Sequence, residues 1–276
     1  MSTKLMIGIV QMTSGSDPES NVEYIERCVR QLALAGAKLI VTPENAIVFG
    51  SRADYHHYAE PLGAGLIQNH LAVLAEELNI DLLIGSMPVR NHERVMTTSL
   101  LFTPRGLADH YDKLHMFDVD VADGHQRYRE SETFEAGSNV VVAKRDGFNL
   151  GLSICYDLRF PHLFNQLARQ GADIITVPAA FTEVTGEAHW EVLLRARAIE
   201  NQCFIVAVGQ GGTHPCGRRT WGHSMVIDPW GRVIQQLDQK PDTLLVEIDL
   251  GQIEPLKRDM PIQSHARFEN KFKENN

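Results

Sequence analysis

The sequence lacks most features that mark a secreted, membrane-spanning or nucleic-acid-binding protein. Its 276 residues hold four cysteines, Cys28, Cys155, Cys203 and Cys216, with no CxxC pair. That count and spacing exclude a disulfide scaffold and the common zinc patterns. The four read as free thiols of a reducing compartment, with the cytoplasm as the expected location. No stretch approaches the roughly 20 apolar residues that span a bilayer, and the N-terminal apolar run ends at Gln11, too short for a signal-peptide core. Basic charge is also in short supply: 26 Lys+Arg against 35 Asp+Glu leave a net charge of −9. Nucleic acid and membrane surfaces are therefore not expected partners, because both are met by a basic face. Pro/Gly/Ser-rich linkers, charge blocks and internal repeats are missing too, so residues 1–276 read as one domain. What remains, 43% apolar and 22% charged, is ordinary globular usage, and disorder would need a poorer and more charged chain.

Periodicity predicts alternating strands and helices. Residues 6–10 read as a strand. Asp17 then caps a helix with Pro18 at its first position, and Val22, Ile25, Val29 and Leu32 form one apolar stripe before Gly36. A short apolar strand over 38–42 delivers Glu44 at its C-terminal end. Ile67, Leu71, Leu74 and Leu78 mark a second helix, followed by a strand over 81–85. Strand pairs are expected at 99–103 with 107–111, and at 140–143 with 150–154. Helices over 161–170 and 190–201 alternate with strands over 173–177 and 203–208. The last third reads as strands over 224–228, 233–237 and 244–248. The pattern predicts a layered α/β structure around mixed sheets, and periodicity leaves the number of sheets open.

Cys155 stands at the junction of a strand and a segment that Pro161 fits to begin as a helix. A side chain on such a turn projects from the end of a sheet, and the N–H groups beyond it can face a developing oxyanion. Gly151 allows close approach beneath it. A lone cysteine is nevertheless more often a core thiol, and Cys28, Cys203 and Cys216 keep that reading. A nucleophilic thiol needs activation, since its free pKa is about 8.5. None of the 12 histidines has a motif tying it to Cys155. Glu44 and Lys113 each sit at or just beyond a strand end, where α/β folds assemble their sites, although each alone is more often a solvated loop side chain. Other signals fall away. Asp118 to Gly124 lacks EF-hand spacing, Gly209 to Gly212 opens no helix, and neither His56-His57 nor Cys216 with His223 has zinc spacing. No metal is expected.

Taken together, the segments resemble the nitrilase superfamily of carbon–nitrogen hydrolases. The likeness rests on Thr42-Pro-Glu44, Tyr111-Asp-Lys-Leu-His115, Arg129-Glu-Ser131 and Ile154-Cys-Tyr-Asp-Leu-Arg-Phe-Pro161, in that order. It continues through residues 194–202 and 222–231. The resemblance implies a four-layer α-β-β-α sandwich that dimerises across a helical face or assembles further. It implies Cys155 as nucleophile, Glu44 as general base and Lys113 as oxyanion stabiliser, with the Tyr156 backbone N–H as second donor. Glu130 matches the family's second glutamate, and no metal or organic cofactor is implied. In this scheme the Lys113 ammonium also favours the thiolate.

Within the superfamily the chain looks like the branch containing the deaminated-glutathione amidases, with the ω-amidases close by. The resemblance implies a small carboxylate-bearing amide as substrate, either deaminated glutathione or a simpler amide such as 2-oxoglutaramate or succinamate. Arg159, four residues past Cys155, is placed to grip a carboxylate, or else to pair with Asp157. Phe181 and Thr185 match pocket positions of the branch. The chain departs from the pattern at Val121-Ala-Asp-Gly-His125 and at Ala136-Gly137, both near the loop bearing Glu130. Two readings compete: a catalytically silent binding protein on the same fold, and a Cys-His peptidase.

Overall fold

A computed structural model describes residues 3–123, 127–269 and 271. The first half runs β1 (Lys4–Gln11), α1 (Pro18–Leu34), β2 (Leu39–Val41), α2 (Arg52–Tyr58), β3 (Glu60–Pro61), α3 (Leu66–Leu78), β4 (Asp81–Asn91), β5 (Arg94–Thr103) and β6 (Gly106–Asp112). A small hairpin, β7 (Asp118–Asp120) and β8 (Arg127–Arg129), crosses to the second half. There follow β9 (Val142–Arg145), β10 (Phe148–Leu152), α4 (Pro161–Arg169), β11 (Ile174–Ala179), α5 (Glu183–Asn201) and β12 (Phe204–Gly209). The chain finishes with β13 (Gly211–Thr213), β14 (Arg219–Trp221), β15 (Met225–Ile227), β16 (Val233–Gln236), β17 (Asp242–Asp249), α6 (Ile253–Asp259) and α7 (Ile262–His265).

The strands form two large mixed sheets on one plan. The first has the order β17-β1-β2-β4-β5-β6, with β3 beside the end of β4, and the second has β16-β15-β12-β11-β10-β9. Each has three parallel strands at its centre, β1-β2-β4 and β10-β11-β12, flanked by antiparallel neighbours. Strand periodicity of two makes the layers. In the first sheet Ile7, Ile9, Leu39, Val41, Leu83 and Leu101 share a core with the second sheet. Their neighbours Val10, Ile40, Leu82, Ile84, Leu100 and Phe102 pack with Ile25, Val29 and Leu32 of α1 and with Leu71 and Leu74 of α3. The second sheet takes Leu163, Phe164 and Leu167 of α4 and Trp190, Leu194 and Ala198 of α5 into the central core. The result is the expected four-layer α-β-β-α sandwich.

Local chemistry explains most element ends. Asp17 caps α1 by accepting from the N–H groups of Glu19 and Ser20, as its sequence predicts. Three elements differ from expectation. The strand after α3, expected over 81–85, runs to Asn91 and turns through His92 (φ 55°) into β5, which begins at Arg94 where a strand is expected from residue 99. The helix expected over 190–201 begins at Glu183, capped by Thr182, whose hydroxyl accepts from Thr185 N–H. Its glycine, Gly186, lowers helix propensity but is required, because a Cβ there would lie 2.3 Å from Trp221. Third, Gly151 admits the side chains of Leu167, Ala172 and Ile175 rather than backbone. The close backbone approach occurs at Gly85, where a Cβ would lie 2.1 Å from the Thr42 carbonyl oxygen. Among the described residues no helix is long and apolar enough to cross a membrane.

Candidate active site

The C-terminal ends of the central strands converge where the two sheets meet. Beyond β2, Pro43 and Glu44 lie over a bulge in β4 between Ile84 and Met87. There Ser86 Oγ accepts from Asn45 N–H at 2.7 Å and the Ser86 carbonyl accepts from Ala46 N–H at 3.0 Å. These bonds fix the turn that carries Glu44. Lys113 follows β6, with its N–H donating to the Thr97 carbonyl at 3.0 Å and its carbonyl accepting from Gly137 N–H at 2.8 Å. Gly137 belongs to one of the two sequence departures. A Cβ at this position would lie 2.3 Å from the Asp112 carbonyl oxygen, so the glycine lets the loop close behind the lysine. The other departure, 121–125, includes Gly124 and His125, which lie outside the described residues.

Cys155 opens a 3-10 turn, Cys155–Arg159, between β10 and α4, with φ 49°. A non-glycine residue in this region costs of order 1–3 kcal/mol and needs surroundings that enforce it. Asp157 supplies them. Fully buried, its carboxylate accepts from Ile154 N–H at 2.9 Å, Tyr111 hydroxyl at 2.7 Å and His115 N–H at 3.2 Å. It also contacts His115 Nδ1 at 2.6 Å, and because a carboxylate only accepts, that nitrogen carries the proton. From the other side, Arg197 of α5 donates twice to the Leu158 carbonyl, at 3.0 and 2.8 Å. The turn is thus tied both to the segment bearing Lys113 and to α5. The ion pair considered for Arg159 and Asp157 does not form. Arg159 instead lies over Phe181, 5.2 Å from its centroid, with Nη1 3.2 Å from His189 Nδ1.

The ionisable groups form one buried cluster. Lys113 Nζ donates to Glu44 Oε1 at 2.7 Å and to both oxygens of Glu130 at 2.8 Å. Glu44 Oε2 accepts from Ala180 N–H at 2.8 Å, at the end of β11, and Glu130 Oε2 accepts from Phe117 N–H at 2.7 Å. Lys113 is 1%, Glu44 4% and Cys155 7% exposed. Burial works against the ammonium, but Glu130 and Glu44 outweigh it and hold Lys113 well above its ordinary pKa. Burial raises the Glu130 carboxyl, with Lys113 opposing. Burial also pushes the Cys155 thiol well above its ordinary value; Glu44 adds to the rise and Lys113 offsets only part. Lys113 does favour the thiolate, as expected, but burial and Glu44 together outweigh it in the resting site. One cation serves two carboxylates, and the sulfur keeps its proton next to Glu44.

Cys155 opens onto a cavity of about 220 Å³. Its lining includes every site residue expected from sequence: Glu44, Lys113, Glu130, Cys155, Tyr156, Arg159, Phe181 and Thr185. It also includes residues that the sequence gave no reason to single out, notably Arg52, Arg127, Tyr128 and Arg218. Asp157, His115 and Tyr111, which hold the turn bearing Cys155, were missed as well. The clue was that 111–115 and 154–161 were two of the matched motifs, with acceptor and donor side chains in each.

Residues 6–258 match the family model for carbon-nitrogen hydrolases. A deaminated glutathione amidase of Yersinia enterocolitica is 46% identical over 266 residues, covering 95% of this chain and 93% of that protein. The crystal structure of the Caenorhabditis elegans NitFhit protein superposes with a TM-score of 0.87 at 34% identity, covering 97% of this chain but 66% of that longer one. Saccharomyces cerevisiae Nit3, a member of the nitrilase superfamily, superposes with a TM-score of 0.86 at 28% identity, covering 96% and 97%. The sandwich, the matched motifs and these likenesses converge on one assignment: the chain belongs to the carbon-nitrogen hydrolase family.

Proposed function

We propose that the chain is a thiol amidase that hydrolyses deaminated glutathione to 2-oxoglutarate and cysteinylglycine through a thioester on Cys155. The observation that carries the reading is the buried cluster of Cys155, Glu44 and Lys113 at the floor of an arginine-lined cavity. The similarity to a deaminated glutathione amidase over almost the whole chain supports the choice of substrate.

The resting charges dictate the order of events. Cys155 Sγ attacks the amide carbon as Glu44 takes the thiol proton, so no free thiolate builds up. The oxyanion is met by Lys113 Nζ and by the N–H of Tyr156, which lies in the first turn of the 3-10 segment and so lacks a partner within it. Glu44 returns its proton to the leaving nitrogen as the C–N bond breaks. Water then attacks the thioester carbon, Glu44 takes a proton from it, and the sulfur leaves and regains that proton. Glu130 holds Lys113 in line throughout and can relay protons. Arg159 grips the carboxylate of the acyl part, while Phe181 and Thr185 shape the wall beside it.

The active unit is a homodimer or larger homo-oligomer: Val184, Val192 and Ile199 expose apolar surface on α5, with Trp230 also exposed. Free thiols, including exposed Cys216, fit a cytoplasmic setting. The test is turnover of deaminated glutathione beside 2-oxoglutaramate and succinamate, with Cys155→Ala as control. Preference for the first, abolished by the substitution, supports the reading. Preference for the simpler amides makes the protein an ω-amidase with the same mechanism. Turnover of none of them refutes the substrate and favours a silent binding protein.

A further inference from the structure

The cavity arginines differ in their partners. Among the described residues, Arg127 pairs with Glu132 and Arg129 with Asp120, whereas Arg52, Arg159 and Arg218 line the same cavity without an ion pair. Arg52 is exposed at the start of α2. The other two are half-buried and lie on separate aromatic faces. Arg159 lies over Phe181 and Tyr156, from the second half of the chain. Arg218 lies between Phe49 and Tyr128, from the first half, with its Cζ 4.8 and 5.1 Å from their centroids.

The segment that carries Arg218 is anchored. The turn between β13 and β14 closes through His214 N–H donating to the Arg218 carbonyl at 2.8 Å. The His214 ring stacks on the far face of Phe49 at 3.8 Å and contacts the Ser14 carbonyl and Thr220 hydroxyl. Burial pushes His214 down to about 4, so it adds no charge beneath the arginine at neutral pH. Two rings thus flank the guanidinium, and with five N–H donors and no carboxylate partner among the described residues it can still serve a ligand. Arg218 also borders a second, outer groove lined by Asp123, Glu183 and Arg219. The acids there already have donors: Tyr128 hydroxyl at Asp123, and Arg219 and Gln239 at Glu183. Among the described residues Arg218, which meets the Tyr128 hydroxyl, has no carboxylate partner where the cavity borders this groove.

We propose that Arg218 binds a second carboxylate, carried on the leaving-group side of the scissile amide, and so selects extended peptide-like amides over short ω-amides. The inference rests on the amidase reading above, in which Arg159 takes the acyl carboxylate. Two half-buried arginines without an ion pair, on separate aromatic surfaces of the cavity that holds Cys155, fit a substrate with two carboxylates. The C-terminal glycine carboxylate of deaminated glutathione is such a group, whereas 2-oxoglutaramate has none beyond its amide nitrogen.

The test compares kcat/KM for deaminated glutathione with that for its C-terminal amide, in the wild-type protein, Arg218→Met and Arg218→Lys. One charge-assisted pair corresponds to a preference of about 10- to 100-fold for the free acid in wild type. Arg218→Met should bring that ratio near 1, mainly through KM, and Arg218→Lys should restore part of it. A wild-type enzyme indifferent to the cap overturns the inference without needing any variant. So does an Arg218→Met protein that keeps the ratio, even if its overall rate falls. If wild type turns over neither compound, the amidase reading itself fails, which is a separate outcome.

Discussion

Replacing Asp157 with asparagine tests how the turn bearing Cys155 is held. The carboxylate is fully buried and meets four donors: Tyr111 hydroxyl and Ile154 N–H at one oxygen, His115 N–H and Nδ1 at the other. An amide is the same size but turns one acceptor into a donor. With its NH2 toward Tyr111, the phenol can rotate to accept, but Ile154 N–H loses its partner. With its NH2 toward His115, the imidazole can change tautomer, but His115 N–H loses its partner. Either way one backbone donor is orphaned, at about 1–3 kcal/mol, and the remaining bonds lose their charge assistance. We expect a loss of about 2–5 kcal/mol in urea denaturation. Because Ile154 directly precedes Cys155, whose positive φ is strained, kcat should fall more than KM changes. A stability change below about 0.5 kcal/mol, with kcat intact, would refute the idea that Asp157 enforces the turn.

Four further predictions concern the charges and the exposed helix. Lys113→Met leaves Glu44 and Glu130 facing each other without a cation and should cost about 3–5 kcal/mol; adding Glu130→Gln should recover part of that, and strictly additive losses would argue against a shared cluster. Lys113 is held above its ordinary pKa of 10.5, so its contribution is complete below that pH and is lost as the pH climbs beyond it, with no lysine-derived loss of stability at pH 6–9. Iodoacetamide should alkylate Cys155 in a Cys216→Ser background at a rate that rises about tenfold per pH unit through pH 8, since the thiol is pushed above its ordinary value; a plateau below pH 8 would reveal a resting thiolate. Val192→Asp, 69% exposed on α5, should shift the protein toward monomer in sedimentation equilibrium, and an unchanged mass would remove this face from the assembly.

The sequence by itself determined much of the local structure and the candidate site residues. Asp17-Pro18 started a helix where expected, Pro161 started another, and apolar runs marked the central strands. The order of motifs around Glu44, Lys113, Glu130 and Cys155 pointed to a chemistry through the resemblance to a known superfamily, since spacing alone left each residue's role open. Where propensity and tertiary need disagreed, the reading fell short. The first turns of α5 were missed because Gly186 is a poor helix former retained for contact with Trp221. The β4–β5 hairpin was missed because its polar turn carries no hydrophobic period. Asp157 looked like a partner for Arg159, and only the fold brought Tyr111 and His115 to it from 46 and 42 residues away. The same holds for the charge state of the site. Glu44 meets Lys113 across 69 residues and Ala180 N–H across 136, so the number of carboxylates sharing the lysine is fixed by the meeting of two sheets. Burial and proximity set ionisation, and both are properties of three-dimensional packing that no spacing along the chain encodes.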